Sequence, residues 1–86
     1  MNHVVYFLYS PTAQKWYCGE TANITDRLER HNGGRSKSTK HGIPWVLHGT
    51  IEVADRSEAR ALEISIKSRG IKRWLNANGH RVTLQA

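Results

Sequence analysis

The chain has a single cysteine, Cys18, among its 86 residues, so no disulfide can staple the fold and no cysteine-rich zinc site can form. One lone thiol fits a reducing, intracellular setting. Long hydrophobic runs are missing as well. The apolar opening stretch from Val4 to Leu8 falls far short of the ~18 residues of a membrane span. It also lacks the basic lead-in and small-residue cleavage site of a secretory signal. The expectation is a soluble, cytoplasmic protein with no membrane role. There are no internal repeats and no linker, and a hydrophobic share of 38% supports only a small core. The length suits one compact domain over residues 1–86, near the lower limit for folding without staples.

Acidic residues are the other scarcity. Seven Asp and Glu face thirteen Lys and Arg, a net charge of +6. Residues 22–41 carry Arg27, Arg30, Arg35, Lys37 and Lys40 against Asp26 and Glu29. Residues 56–81 carry Arg56, Arg60, Lys67, Arg69, Lys72, Arg73 and Arg81 against Glu58 and Glu63. The first twenty-one residues balance, Lys15 against Glu20. A basic excess confined to helices and a loop is the electrostatic footprint of a polyanion binder, with nucleic acid ahead of acidic lipid or protein. Basic charge for solubility alone is the plainer reading.

Residues 3–9 are β-branched and aromatic, which suits a strand, and their near-continuous apolar character predicts a central strand covered on both faces. Ser10-Pro11-Thr12 signals a turn, and Lys15 to Glu20 completes a hairpin. If Tyr9 faces Gln14, then Tyr6 falls opposite Tyr17, with both phenols on one face. Asn23 with Asp26 predicts a helix start, ended by Asn32-Gly33-Gly34, with Ile24 and Leu28 as its buried stripe. At about 100° per residue, His31 lies beside that stripe and Arg27 is its neighbour one turn earlier. Residues 33–44 read as a basic, mobile loop. Trp45 to Val53 reads as a third strand. Asp55 with Glu58 opens a second helix, whose Ala59, Leu62 and Ile66 face the core and which Gly70 closes. A last helix, Ile71 to Asn78, packs through Ile71, Trp74 and Leu75. The predicted fold is an α/β (α+β) sandwich: a three-stranded, mainly antiparallel sheet flanked by helices, in the order β-β-α-β-α-α.

Val4-Val5-Tyr6 and Tyr17-Cys18-Gly19, followed by Arg27 and His31 and then by Glu63-Ile64-Ser65-Ile66-Lys67, form an ordered series. That series resembles the GIY-YIG nucleases, and most of all their short, stand-alone members. Each motif is weak singly; their joint order with fitting spacings is specific. The resemblance implies a metal-dependent endonuclease that hydrolyses DNA phosphodiester bonds in repair, recombination or related processing, directed by DNA structure or by a protein partner, with RNA not excluded. It implies catalytic roles for Tyr6, Tyr17, Arg27, His31 and Glu63. Glu63 would hold Mg²⁺ or Mn²⁺ as a hard oxygen ligand, and Arg27 would hold a phosphoryl oxygen through its fork of donors. Tyr6 would be the general base, made more acidic by Arg27 and the metal. Tyr17 would position water or phosphate, and His31 would accept the Tyr6 proton or orient its hydroxyl. The family's late asparagine is Asn76 or Asn78.

Taken one at a time, these residues are ordinary: two sheet aromatics, a solvated arginine, a half-buried histidine and a surface glutamate. Cys18 reads as inert core. Trp16, Trp45 and Trp74 suit packing better than base stacking. Backbone contacts would come from Arg35, Lys37 and Lys40 on the loop, and from Lys67, Arg69, Lys72 and Arg73. Glu20 stands where many family members carry lysine. It supports the alternative of a weak or inactive nucleic-acid-binding module with the same fold, and a protein-interaction domain is a third reading.

Overall fold

The computed structural model describes residues 3–85. The elements run β1 (His3–Ser10), β2 (Lys15–Thr21), α1 (Ile24–Asn32), β3 (Val46–Val53), α2 (Arg56–Arg69), α3 (Ile71–Asn78) and β4 (Thr83–Leu84), with single 3₁₀ turns at Lys40–Gly42 and Gly79–Arg81. The fold is mixed α+β: an antiparallel sheet in the order β2-β1-β3-β4 with three helices. The expected three strands are therefore four. Thr83 and Leu84 pair with Thr50 and Gly49, and a two-residue exposed strand is too short to show any alternation in the sequence.

Alternation along β1 divides the core into two. Val5 and Phe7 join Cys18, Ile51 and Val53 on one face, covered by Ala59 and Ile66 of α2 and by Trp74 and Leu75 of α3. Tyr6 and Leu8 point to the other face, where Ile24 and Leu28 of α1 and Trp45 cover them. Four successive residues of β1, Val5 to Leu8, are completely buried, as a central strand with both faces covered requires. Trp45 and Trp74 are core residues, each 4% exposed.

The helix starts follow local chemistry. The Asn23 side chain accepts from the Asp26 N–H, and the Asp55 side chain accepts from the Glu58 N–H. Each cap contributes about 1 kcal/mol by satisfying a donor that the helix leaves open. At the end of α1 the left-handed residue is Gly34, with φ +76°, while Gly33 stays right-handed.

The basic loop is less free than its composition suggests. Trp45 N–H donates to Asn32 Oδ1 at 2.6 Å, and Asn32 Nδ2 returns a bond to the Trp45 carbonyl at 3.0 Å. The Trp45 indole N–H donates to the Thr39 carbonyl at 2.7 Å, and Thr39 itself is completely buried. The indole lies flat on the backbone at Gly42, where a Cβ would stand 2.3 Å from the ring. The expected mobile segment is thus anchored at its centre, while Arg35, Lys37 and Lys40 remain exposed on either side.

Candidate active site

The site begins with the hairpin register. The expected pairing of Tyr6 with Tyr17 is corrected: Tyr6 lies opposite Gly19, and Leu8 opposite Tyr17. The reason lies in the turn. Ser10 Oγ accepts the Ala13 N–H at 3.0 Å, Gln14 takes φ +53°, and the ladder extends to a Ser10–Lys15 pair. A slip of two residues keeps every side chain on its face. Tyr6 and Tyr17 therefore still share one, as diagonal neighbours with ring centroids 6.3 Å apart.

Gly19 does more than pair. A Cβ there would stand 2.4 Å from Tyr6 Oη and 2.6 Å from Cζ, so the phenol occupies the space that a side chain would fill. Gly19→Ala is expected to destabilise the fold by about 1–3 kcal/mol, the usual cost of overpacking. Thermal unfolding checks this; an unchanged Tm would mean that the phenol is not seated over Gly19.

Tyr6 Oη lies 2.9 Å from His31 Nε2, and His31 Nδ1 lies 2.7 Å from Thr39 Oγ1. All three residues are buried: Tyr6 and Thr39 at 0% exposure and His31 at 2%. The half-buried Tyr17 sets its ring edge-on to His31, with centroids 5.0 Å apart. Arg27, one turn before His31, is half-buried, and its charge acts on the Tyr6 phenol. Of the two cations expected to make this phenol acidic, Arg27 acts in that direction but is outweighed by burial. Burial, then the nearby Tyr17, push its pKa well above the usual phenol value, and Arg27 only partly opposes them. Tyr6 is therefore fully protonated at neutral pH. His31 moves the other way: burial, then the charges of Arg27 and Arg30, lower its pKa and keep it neutral. A protonated phenol thus meets a neutral imidazole.

The His31 shift has a consequence for stability. The unfolded chain takes up a proton at His31 near pH 6.5, whereas the folded chain resists until lower pH. Within that window the unfolded state binds more protons, so stability falls as pH drops below about 6.5. Urea unfolding at pH 7.5 and 5.5 is expected to show a lower midpoint at 5.5, with a smaller difference in His31→Gln.

Glu63, on α2, completes the group. Its Oε1 lies 3.0 Å from Lys67 Nζ, and that ammonium lies 5.6 Å from the Tyr17 ring centroid. Burial alone would lower the Lys67 pKa, but the Glu63 bond and charge, with Tyr17 and Cys18, raise it on balance. The Glu63 charge is also felt at Tyr6 and at Cys18, which places the carboxylate at the same edge of the sheet. Cys18 is completely buried, and burial followed by Glu63 pushes its thiol up to about 12, so it is inert as expected. Among the described residues no group of three or more His, Cys, Asp or Glu converges. A lone carboxylate does not fit zinc. It does fit Mg²⁺, which keeps most of its waters and takes its remaining oxygens from a substrate phosphate.

Glu20 pairs with residues outside the Tyr6–His31 group. Strand alternation turns it to the face opposite Tyr17, where Oε2 lies 2.6 Å from His3 Nε2 and Oε1 lies 3.7 Å from Arg56 Nε. Its charge is compensated there, at the rim of a depression that Arg27 and Arg56 also line. Of the seven residues expected to contact nucleic acid, Lys67 is the one tied to the site; Arg35, Lys37, Lys40, Arg69, Lys72 and Arg73 are exposed. Asn78 Nδ2 bonds the Trp74 carbonyl in its own helix, and Asn76 is exposed. The residue that sequence reasoning missed is Thr39. It stands in a run of small polar and basic residues, and nothing local distinguishes it from Ser36 or Ser38.

A family model described as the GIY-YIG catalytic domain matches residues 2–78. The chain belongs to the GIY-YIG family. That family is generally one of nucleases, and its nucleases generally depend on divalent metals. Among the relatives of this GIY-YIG domain is the UPF0213 protein YsiG of Lactococcus lactis, 26% identical over 74 residues that make up 85% of this chain and 71% of that protein. The solution NMR structure of the UPF0213 protein BH0048 of Bacillus halodurans is similar as well. It is 29% identical with a TM-score of 0.57, and the match covers 92% of this chain and 87% of that one. Neither name states an activity. No helix among the described residues is long and apolar enough to cross a membrane.

Proposed function

We propose that this GIY-YIG domain is a divalent-metal-dependent endonuclease that hydrolyses DNA phosphodiester bonds, with Tyr6, Tyr17, Arg27, His31 and Glu63 as its catalytic residues. The observation that carries the reading is the buried 2.9 Å bond between the Tyr6 hydroxyl and a neutral His31, with Arg27 against the phenol. Hydrolysis needs a water relieved of a proton and stabilisation of charge on the phosphoryl and leaving oxygens. With the charges of this chain alone, Tyr6 is a phenol and not a phenolate. Instead it takes the water's proton as its own passes to His31 Nε2, which spares the buried site a full phenolate charge. Arg27 holds a non-bridging phosphoryl oxygen through its fork of donors. Tyr17 orients the water or the phosphate. A Mg²⁺ or Mn²⁺ ion on Glu63 would polarise the phosphoryl group and stabilise the leaving oxygen, Lys67 releasing the carboxylate to receive it.

Contacts from Arg35, Lys37, Lys40, Lys67, Arg69, Lys72 and Arg73 go to the backbone, which gives affinity without base readout. Targeting then rests on DNA structure or a protein partner, in repair, recombination or related processing. Neutralising Lys37 and Lys40 together is expected to weaken binding to all sequences alike. It should also reduce the slope of log affinity against log salt by about two, nearly one per lost contact. Fluorescence anisotropy across a salt series measures this.

A second reading has one observation in its favour: Tyr6 is sealed from solvent, as a structural tyrosine in a binding module without turnover would be. Incubating the protein with linear, branched and single-stranded DNA, and with RNA, with and without Mg²⁺ or Mn²⁺, separates the two. Metal-dependent cutting of DNA, stopped by EDTA, supports the enzyme. Binding without cutting on every substrate overturns it in favour of the module.

A further inference from the structure

We infer that Thr39 is a positioning residue that fixes His31 as its Nδ1–H tautomer, so that the Nε2 lone pair faces the Tyr6 hydroxyl.

The inference comes from accounting for each hydrogen along the buried chain. At one end, Thr39 Oγ1 donates to the Ser36 carbonyl at 3.4 Å. That contact is long for an O–H···O bond, so this end allows Thr39 to accept from His31 Nδ1 at 2.7 Å without dictating it, and the direction is set at Tyr6. At the other end, His31 Nε2, 2.9 Å from the buried Tyr6 Oη, is the side-chain partner of the phenol among the described residues, and so it is the acceptor that the Tyr6 hydrogen meets. The opposite tautomer would point Nε2–H at Tyr6 and leave a completely buried hydroxyl hydrogen without a partner, a cost of about 1–3 kcal/mol. The Tyr6 end selects one arrangement and the Thr39 end accommodates it: Tyr6 to His31, His31 to Thr39, Thr39 to Ser36.

Thr39 is brought to His31 by packing remote in sequence. Its carbonyl holds the Trp45 indole, the indole covers Gly42, and Trp45 in turn is clamped to Asn32 at the end of the helix that carries His31. The exposed Lys37 and Lys40 flank it. The segment proposed to touch the DNA backbone therefore also carries the group that orients the proton acceptor.

The consequence for catalysis rests on the nuclease reading; the tautomer does not. As the attacking water gives a proton to Tyr6 Oη, the Tyr6 hydrogen moves to His31 Nε2, and the imidazolium keeps its Nδ1–H bond to Thr39. The hydroxide adds to phosphorus, the bond to the leaving oxygen breaks, and that oxygen takes a proton from solvent. His31 then returns its proton to solvent, and the chain is restored.

Long-range ¹H–¹⁵N correlation on uniformly ¹⁵N-labelled protein at pH 7.5 reads the tautomer directly. The expected wild-type spectrum has protonated Nδ1 and unprotonated Nε2 at His31. Thr39→Ser keeps that pattern, and Thr39→Val, which leaves the Nδ1 hydrogen without an acceptor, moves part of the population to the Nε2–H form. In the cleavage assay Thr39→Val is expected to lower kcat about 10- to 100-fold with KM for DNA unchanged, the scale on which outer groups that orient a histidine act, and Thr39→Ser to restore the rate. A wild-type spectrum with protonated Nε2 overturns the inference. So does a folded Thr39→Val protein with an unaltered tautomer, and if Thr39→Val fails to fold, the wild-type and Thr39→Ser spectra decide. If the protein cuts nothing, the nuclease reading fails while the spectra still decide the tautomer.

Discussion

Glu63→Gln is expected to lower metal-dependent DNA cleavage by about 10³-fold or more while leaving the fold intact, the loss equivalent to roughly 4 kcal/mol of transition-state stabilisation. The size follows from the donor set. Among the described residues Glu63 belongs to no group of three or more His, Cys, Asp or Glu, so little replaces its charge when the oxygen ligand becomes a neutral amide. The fold should tolerate the change because Glu63 is partly exposed and its ion pair is with Lys67, itself half-exposed; such pairs contribute about 1 kcal/mol or less. Cleavage rates across a Mg²⁺ series and a parallel thermal melt test both halves. Equal cleavage by wild type and Glu63→Gln would remove Glu63 from the site even in an active nuclease.

Tyr6→Phe is the second large effect, and it separates chemistry from packing. The ring stays, so the space over Gly19 remains filled. The hydroxyl is lost, and with it the path from water to His31. Cleavage is expected to fall by about 10²- to 10⁴-fold, the range over which a positioned general base contributes. Unlike Glu63→Gln, this variant should also lose stability. It leaves His31 Nε2 buried and unpaired, at about 1–3 kcal/mol, and a domain of this size loses about 4–8 °C in Tm per kcal/mol. A melt with the wild-type Tm would show that the Tyr6–His31 bond contributes nothing to the fold. Wild-type cleavage would rule out Tyr6 as the base.

The contrast between these variants reflects where each residue sits. Glu63 is at the rim, where water can solvate what the substitution leaves behind. Tyr6 and His31 are sealed inside, where an unpaired atom has no substitute partner. Arg27 and Tyr17 are both half-buried, and the Tyr17 ring neighbours the phenol at 6.3 Å between centroids.

Much of this was legible in the residues alone because it depends on neighbours in sequence. The caps at Asn23 and Asp55, the bounds of α3 and the stripes Ile24–Leu28 and Ala59–Leu62–Ile66 follow from periodicity and side-chain–backbone bonds that close within a turn. The proximity of Arg27 to His31 is likewise a property of one helix. The family was legible because its motifs lie in order along the chain, even where Val4 and Val5 replace the first motif's other residues. Tertiary structure decided the remainder. The two-residue slip that sets Tyr6 over Gly19 depends on how Ser10 and Gln14 shape the turn. The pairing of β4 with β3 has no local signal. The compensation of Glu20 by His3 and Arg56 joins residues from β1, β2 and α2. The protonation of Tyr6 and the neutrality of His31 are products of burial, which cannot be read from a residue's identity. Thr39 lies outside every motif, and only the closing of the 33–45 segment over the sheet gives it a partner. The sequence determined the candidate groups that its motifs carry, Thr39 excepted. Packing decided how deep they lie, and so which of them carries a proton.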